Sequence, residues 1–154
     1  MLDPGAFIPT RAHSTDAGLD LYAMDDAVIF RDGSHTFDTG VHVAIPEGFV
    51  GFLKSKSGLN INSGLQSAGV IDSGYTGSIR VKLYNHGHEM VQICRGQKIS
   101  QLVILPIETP DIELVDEFEE TERGNNGFGS SGIGSGCKGR IRAEGSDGGS
   151  RSLR

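Results

Sequence analysis

Ser78-Ile79-Arg80-Val81-Lys82-Leu83-Tyr84 alternates apolar and polar residues without a break. Successive side chains of a strand point to opposite faces, so Ile79, Val81 and Leu83 fall on one buried face while Arg80 and Lys82 face water. Outward from this stretch the same period of two recurs at Leu19 to Tyr22, Ala27 to Phe30, Val41 to Ile45, Phe49 to Leu53, Ser67 to Ile71, Met90 to Ile93, Ile99 to Pro106 and Ile112 to Val115. Asn85, Gly87 and Gly96 punctuate the chain after Tyr84, as turns between strands do. The one helix predicted in the body is a turn over 57–62 after a serine cap. So many short strands in one chain must hide their edges, which leaves a sandwich, a jelly roll or a barrel. The expected class is all-β, a jelly-roll-like β-barrel of short strands with one short helix and a mobile C-terminal arm. The pattern alone also admits an immunoglobulin-like sandwich.

The chain has 154 residues, the size of one ordinary domain, and its 36% hydrophobic content is compensated by 23 glycines that suit many turns. Its net charge of −6 divides unevenly. Residues 1–132 hold 9 Lys and Arg against 18 Asp and Glu, net −9, whereas 133–154 hold 5 against 2, net +3. An acidic body argues against broad binding to nucleic acid or an anionic membrane, because counterion release needs a basic face. Phosphate must then be held by a few placed cations, backbone N–H groups and a metal. The acidic run Asp116 to Glu122 reads as a solvated linker. Cys94 and Cys137 show no C-x-x-C spacing, which suggests neither zinc nor a disulfide framework and fits a reducing cytoplasm. The N-terminus lacks the marks of a signal peptide and no 18 apolar residues run together, so a soluble, cytoplasmic chain is expected. From Arg123 the glycines at 124, 127, 129, 132, 134, 136 and 139 leave no apolar face. The expected organisation is a body over 1–122, a glycine-rich arm over 123–132 and a disordered Gly/Ser/basic tail over 133–154.

Three segments can carry chemistry. Gly69-Val70-Ile71-Asp72-Ser73-Gly74-Tyr75-Thr76-Gly77 puts an aspartate at a strand end, where a rigid element aims it. Asp72 there is either a general base for a water or the side chain of an Asx-turn; Tyr75 is either core filler or a flat face for a sugar. Lys54-Ser55-Lys56-Ser57-Gly58 leads two cations and two hydroxyls into the helical turn, which suits phosphate oxygens or a plain surface loop. It lacks the G-x-x-x-x-G-K-S/T pattern, so a Walker-type site is excluded. Arg123-Gly124-Asn125-Asn126-Gly127-Phe128-Gly129-Ser130-Ser131-Gly132 offers a guanidinium and an aromatic ring on an arm able to close over a ligand. His86-Gly87-His88 reads as solvated loop, and His13, His35 and His42 are single and scattered.

Taken in order, Ala17-Gly18-Leu19-Asp20-Leu21, Lys56-Ser57-Gly58-Leu59, Gly69 to Gly77, Gly96-Gln97-Lys98-Ile99-Ser100-Gln101-Leu102 and Arg123 to Gly132 resemble the five motifs of the trimeric dUTPase family. The resemblance implies a jelly roll and a homotrimer with three shared active sites, each capped by a neighbour's arm. It implies hydrolysis of dUTP to dUMP and pyrophosphate with Mg on the phosphates. By that resemblance Asp72 activates water and meets the 3'-hydroxyl, and Tyr75 lies beneath the deoxyribose. Lys56, Ser57, Gly58 and Gln101 meet phosphates, and Gln66, Val70, Ile71 and Arg80 belong to the uracil-recognising hairpin. Arg123 clamps the γ-phosphate, Phe128 stacks on uracil, and Gly129, Ser130 and Ser131 add phosphate contacts. Asp20 touches the metal only through water.

The chain departs from the family pattern at three places. Lys56 replaces an arginine, exchanging a planar fork for a point charge. Gln97 and Lys98 replace an aspartate and an arginine, which puts a supporting ion pair in question. Gln66 replaces an asparagine. Two other functions remain in view: dCTP deamination on the same fold, against which residues 73–86 offer no carboxylate, and a dUTP-dependent regulatory binding protein, motivated by Lys56 and the basic tail.

Overall fold

The structure is a computed structural model and describes residues 1–127. It divides into two units, one over Met1–Asp111 and one beginning at Ile112.

In the first unit nine strands and one helix follow in order: β1 Gly18–Tyr22, β2 Ala27–Ile29, β3 Ser34–Asp38, β4 Phe49–Ser55, α1 Ser57–Ser63, β5 Leu65–Gln66, β6 Ala68–Ile71, β7 Arg80–Asn85, β8 Val91–Ile93 and β9 Lys98–Pro106. They form a four-stranded sheet β1-β9-β4-β6, a three-stranded sheet β3-β7-β5 and the pair β2-β8, every pairing antiparallel. The fold is all-β, as the period-two pattern predicts, and of the arrangements that pattern admits it is the jelly roll. Its core joins all three layers: Leu21, Leu53, Ile71 and Leu102 from the first sheet, Phe37, Leu65, Val81 and Leu83 from the second, Ile29 and Ile93 from the pair. Ile79, Val81 and Leu83 are all fully buried, as their alternation requires. Each such side chain contributes about 1.5–3 kcal/mol through burial.

Four segments differ from the sequence reading. Ser34–Asp38 is a strand although only Phe37 of its five residues is buried, so it carries no alternation to read. Residues 41–45 form no ladder strand. The backbone around them is spent elsewhere: Thr39 N–H donates to Ile79 O (3.1 Å), Ile79 N–H to Val41 O (2.8 Å) and His42 N–H to Met1 O (2.9 Å). The helix runs Ser57–Ser63 with Lys56 as N-cap and no side-chain cap bond, so no serine caps it. Residues 66–80 are not a paired hairpin, because β6 joins β4 in one sheet while β7 lies between β3 and β5 in the other.

In the second unit residues 112–115 form no strand, and Ile112, Leu114 and Phe118 are exposed by 100%, 97% and 91%. A turn comes next, with Gly124 N–H donating to Thr121 O (3.0 Å) and the Arg123 guanidinium to Asn126 O (3.1 Å). Phe128, Gly129, Ser130, Ser131 and the tail 133–154 lie outside the described residues. No helix among the described residues is long and apolar enough to cross a membrane.

Candidate active site

The residues of the first, second and fourth motifs meet at one end of the four-stranded sheet. Asp20 of β1 lies beside Gln101 of β9, which pairs in turn with Lys54 of β4. The β1–β9 register slips after Leu21, so that Leu21 faces Ser100 but Tyr22 faces Lys98. This bulge lets both Ile99 and Ser100 turn inward, each 0% exposed. Lys98, an odd three positions from Gln101, thereby comes to the same side as Gln101 and Asp20, as a strict two-residue period would forbid. Lys98 Nζ reaches Asp20 Oδ2 at 2.8 Å, and Lys56 Nζ, from the helix N-cap, reaches Asp20 Oδ1 at 2.5 Å. Lys98 thus pairs with Asp20 of the first motif, whereas Gln97, without a charge, accepts a hydrogen bond from Cys94 N–H (3.2 Å) and makes no ion pair.

The Asp20 side chain is only 6% exposed. Burial alone would push its carboxyl up, yet the bonds from Lys56 and Lys98 together outweigh burial and hold it below its ordinary value of 3.8. Lys98 is held above its ordinary value chiefly by the same bond to Asp20. One carboxylate set against two ammonium groups leaves this triad with one positive charge in excess, although the Asp16 carboxylate is also felt at Lys98. Beside it, Gln101 Nε2 donates to Ser55 O (3.1 Å), and a Cβ on Gly18 would stand 2.6 Å from Gln101 Oε1. Glycine at position 18 thus makes room for the amide to lie across β1. Ser57 and Gly58 open the helix just beyond, both exposed.

Both oxygens of Asp20 already accept an ammonium, which does not suit direct ligation of a divalent cation at that carboxylate. Among the described residues no group of three His, Cys, Asp or Glu is placed to hold a metal ion.

Asp72 stands elsewhere. It follows Ile71, the last residue of β6, and opens a turn closed by Tyr75 N–H donating to Asp72 O at 3.3 Å. Gly74 occupies the third position with φ of 83°, the type II geometry that favours glycine there. The turn is closed by backbone, and the exposed Asp72 carboxylate makes no hydrogen bond or ion pair among the described residues, so no Asx-turn forms. Tyr75 is 44% exposed, and its hydroxyl donates to Ser78 O at 3.0 Å. That bond lays the ring against Gly77, where a Cβ would meet Cζ at 2.6 Å. Val70 is 58% exposed and Ile71 9% exposed, on the outer and inner sides of β6. Gln66 is exposed on β5 opposite Tyr84. Arg80 is exposed and pairs with Asp38 at 3.6 Å across β3 and β7.

These two groups do not meet within one chain. Gly51 pairs with Ile71, which puts Asp72 opposite Val50, whereas Lys56 lies six positions further along the chain. At ~3.3 Å per residue the separation is about 20 Å.

The sequence reading missed the anchors of the 72–79 loop. Ser78 Oγ donates to Asp38, Thr39 Oγ1 donates to Ile79 O (2.7 Å), and His42 Nδ1 meets Thr76 O at 2.8 Å. These partners are 34 to 40 positions apart in sequence, so no local spacing announces them.

Comparison with known proteins draws these pieces together. The family model described as dUTPase matches residues 5–132. A deoxyuridine 5'-triphosphate nucleotidohydrolase of Nocardia farcinica is 42% identical over 135 residues, covering 85% of this chain and 82% of that protein. Its counterpart in Clostridium tetani is 40% identical over 136 residues, covering 86% and 93%. Among solved structures, a mutant dUTPase of Staphylococcus bacteriophage 80alpha with dUpNHpp superposes with a TM-score of 0.80 at 34% identity, covering 86% of this chain and 95% of that one. A mutant dUTPase of the S. aureus phage phi11, described with a structural Mg(II) ion, gives a TM-score of 0.71 at 33% identity, covering 77% and 95%. The ordered motifs, the jelly roll and these likenesses agree: the chain belongs to the dUTPase family.

Proposed function

We propose that the protein hydrolyses dUTP to dUMP and pyrophosphate, with Asp72 as the base. The observation that carries this reading is the exposed Asp72 carboxylate, unengaged among the described residues, on a turn closed by a backbone bond. A carboxylate without a structural partner is free to take a proton from water. The water oxygen then bonds to the α-phosphorus, the bond from that phosphorus to the bridging oxygen breaks, and pyrophosphate departs with the electron pair. The membership in a family whose relatives bear the name of this activity, and the likeness to a phage dUTPase with dUpNHpp, support the substrate.

The other roles rest on placement. Tyr75, fixed by Ser78, offers its ring to the deoxyribose, where a 2'-hydroxyl would find no room. The backbone at Val70 and Ile71, with Gln66 and Arg80 nearby in sequence, frames the uracil. Ser57, Gly58 and Gln101 meet the phosphates beside the net positive charge left by Lys56, Lys98 and Asp20. Lys56 acts there through its field, since Asp20 already engages its ammonium. Arg123 takes the γ-phosphate, and Phe128, Gly129, Ser130 and Ser131 complete the arm. Mg comes with the triphosphate and, when bound, neutralises charge on its oxygens.

The site is shared in a homotrimer. Two halves about 20 Å apart in one chain serve one triphosphate only if different subunits supply them. The exposed apolar residues Ile112 and Leu114, which alternate like a strand without a partner among the described residues, fit the same arrangement. Pyrophosphate release across dUTP, dCTP, dTTP and UTP, with and without Mg, tests reaction, base, sugar and metal together. Rapid release from dUTP with Mg alone is expected; ammonia from dCTP, or equal rates on UTP, would sink the reading.

A further inference from the structure

The tie to the Asp72 turn that lies nearest the aspartate in sequence comes from a histidine the reaction does not use. His42 follows the segment that anchors the loop, and its side chain is 17% exposed. Nδ1 lies 2.8 Å from Thr76 O, four residues after Asp72, and Nε2 lies 3.1 Å from Asp3 Oδ1 near the N-terminus. A carbonyl oxygen only accepts, so Nδ1 must donate. An ionised carboxylate only accepts as well, so Nε2 must donate. Neutral imidazole has a single N–H, and both bonds together therefore require the imidazolium. We propose that His42 is a positioning residue for the Asp72 turn, and that its protonation sets how firmly the turn is held to the body of the subunit. The inference rests on the reading that this turn carries the base and sugar contacts.

The charges around His42 favour the doubly bonded state. Asp3 faces it from the N-terminal segment, and Asp38 at the end of β3 feels its charge. Against these stand the Met1 amino group, which donates to His42 O at 3.1 Å and disfavours the cation, and Arg80 of β7, engaged by Asp38. Asp72 and Tyr75 lie on the held loop itself. The result is a His42 pKa above its ordinary 6.5, raised first by the Thr76 carbonyl, opposed by burial, and raised further by Asp3. A raised value means that both ties are fully present below pH 6.5 and that one is lost as pH climbs through the folded value. On the alkaline side the single N–H cannot serve both oxygens: on Nε2 it leaves a bare Nδ1 facing the Thr76 carbonyl, and on Nδ1 it frees His42 from Asp3, so the chain Asp3–His42–Thr76 that ties the loop to the N-terminal segment is broken either way.

The test uses the full chain and two variants. In wild type, NMR titration of the His42 ring should give a pKa above 6.5, with the Tyr75 to Gly77 amides shifting in step. Over the same range KM for dUTP should rise by about threefold while kcat holds. In Asp3→Asn the amide donates to an unprotonated Nε2, so neutral His42 keeps both ties; the ring pKa should fall and the loop amides and KM should stop titrating. In His42→Gln no ring titration remains, and KM should keep only the pH dependence that the ionisation of the triphosphate itself imposes. A ring pKa at or below 6.5 that Asp3→Asn leaves unchanged would overturn the proposal. So would loop amides or a KM profile in His42→Gln that superpose on wild type, or a wild-type KM that stays flat while the ring titrates. The ring and amide titrations are read without substrate, so failure of Asp72 as the base would leave them standing and be recognised separately.

Discussion

The two ends of strand β4 spend their charge in opposite ways. Beyond Ser55, Asp20 is buried and fully engaged by Lys56 and Lys98, and Gln101 is bonded to backbone. Near Val50, the Asp72 carboxylate is exposed and unengaged among the described residues, although the turn beneath it is held by a backbone bond. A carboxylate that accepts two ammonium groups is stabilised as an anion and is a poor proton acceptor; one without partners is available. On the proposed mechanism, two aspartates of the same chain are thereby set to a structural and a chemical role through their neighbours alone.

The sharpest way to break this comparison is to damage the two ends separately. Asp72→Asn removes the base but no stabilising contact, so turnover should drop by roughly 10²–10⁴-fold with the melting temperature unchanged. Ser57→Asp puts a carboxylate against the phosphates while favouring the helix N-terminus, so it too should fold and fail. If the two ends come from different subunits, randomly reassembled mixtures of the two inactive chains should regain about a quarter of wild-type turnover, since one site in four is intact. Mixtures that stay inactive would refute shared sites.

Next in size is the closed end. Asp20→Asn leaves two ammonium groups facing an amide, at a cost of roughly 2 kcal/mol because both lysines are partly exposed. Thermal unfolding should register several degrees of loss. Because the Asp20 carboxyl is depressed, its contribution is present above 3.8 and vanishes as pH falls through its lower folded value. The gap between wild type and variant should therefore be constant from about pH 5 to 7 and narrow below about pH 4. A gap that widens in acid would contradict the pairing.

The same contrast marks what the sequence could say. Strand β7 was legible because Val81 and Leu83, with Ile79 just before the strand, are all buried on one face, and the Asp72 turn because glycines bracket it. Strand β3 was not, with a single buried residue, and 112–115 was over-read because alternation shows a strand's pattern but not its partner. The Asp20 corner draws on β1, the helix cap and β9, and its geometry depends on a bulge after Leu21 that no motif announces. Asp72 could be named from its run as a candidate only, and that nothing engages it among the described residues is a three-dimensional fact. His42 looked like one of several scattered histidines until the fold brought Thr76 to it across 34 positions.

The smallest effect belongs to the turn that carries Asp72. Gly74 has φ of 83° and open space where a Cβ would go, so Gly74→Ala meets strain in the backbone but no collision. Its cost should be about 1 kcal/mol, and Gly74→Asn should cost less, because asparagine tolerates the left-handed region better. Stability and turnover should respond differently here. The bond from Tyr75 N–H to Asp72 O survives in either variant if the turn keeps its type, so the melting temperature should fall slightly while kcat stays near wild type. A large loss of turnover in Gly74→Ala with a normal melting temperature would mean that the turn must change shape during the reaction. In that case the open end of β4 would be a moving part rather than a fixed platform, and the contrast with the Asp20 corner would lie in motion as well as in charge.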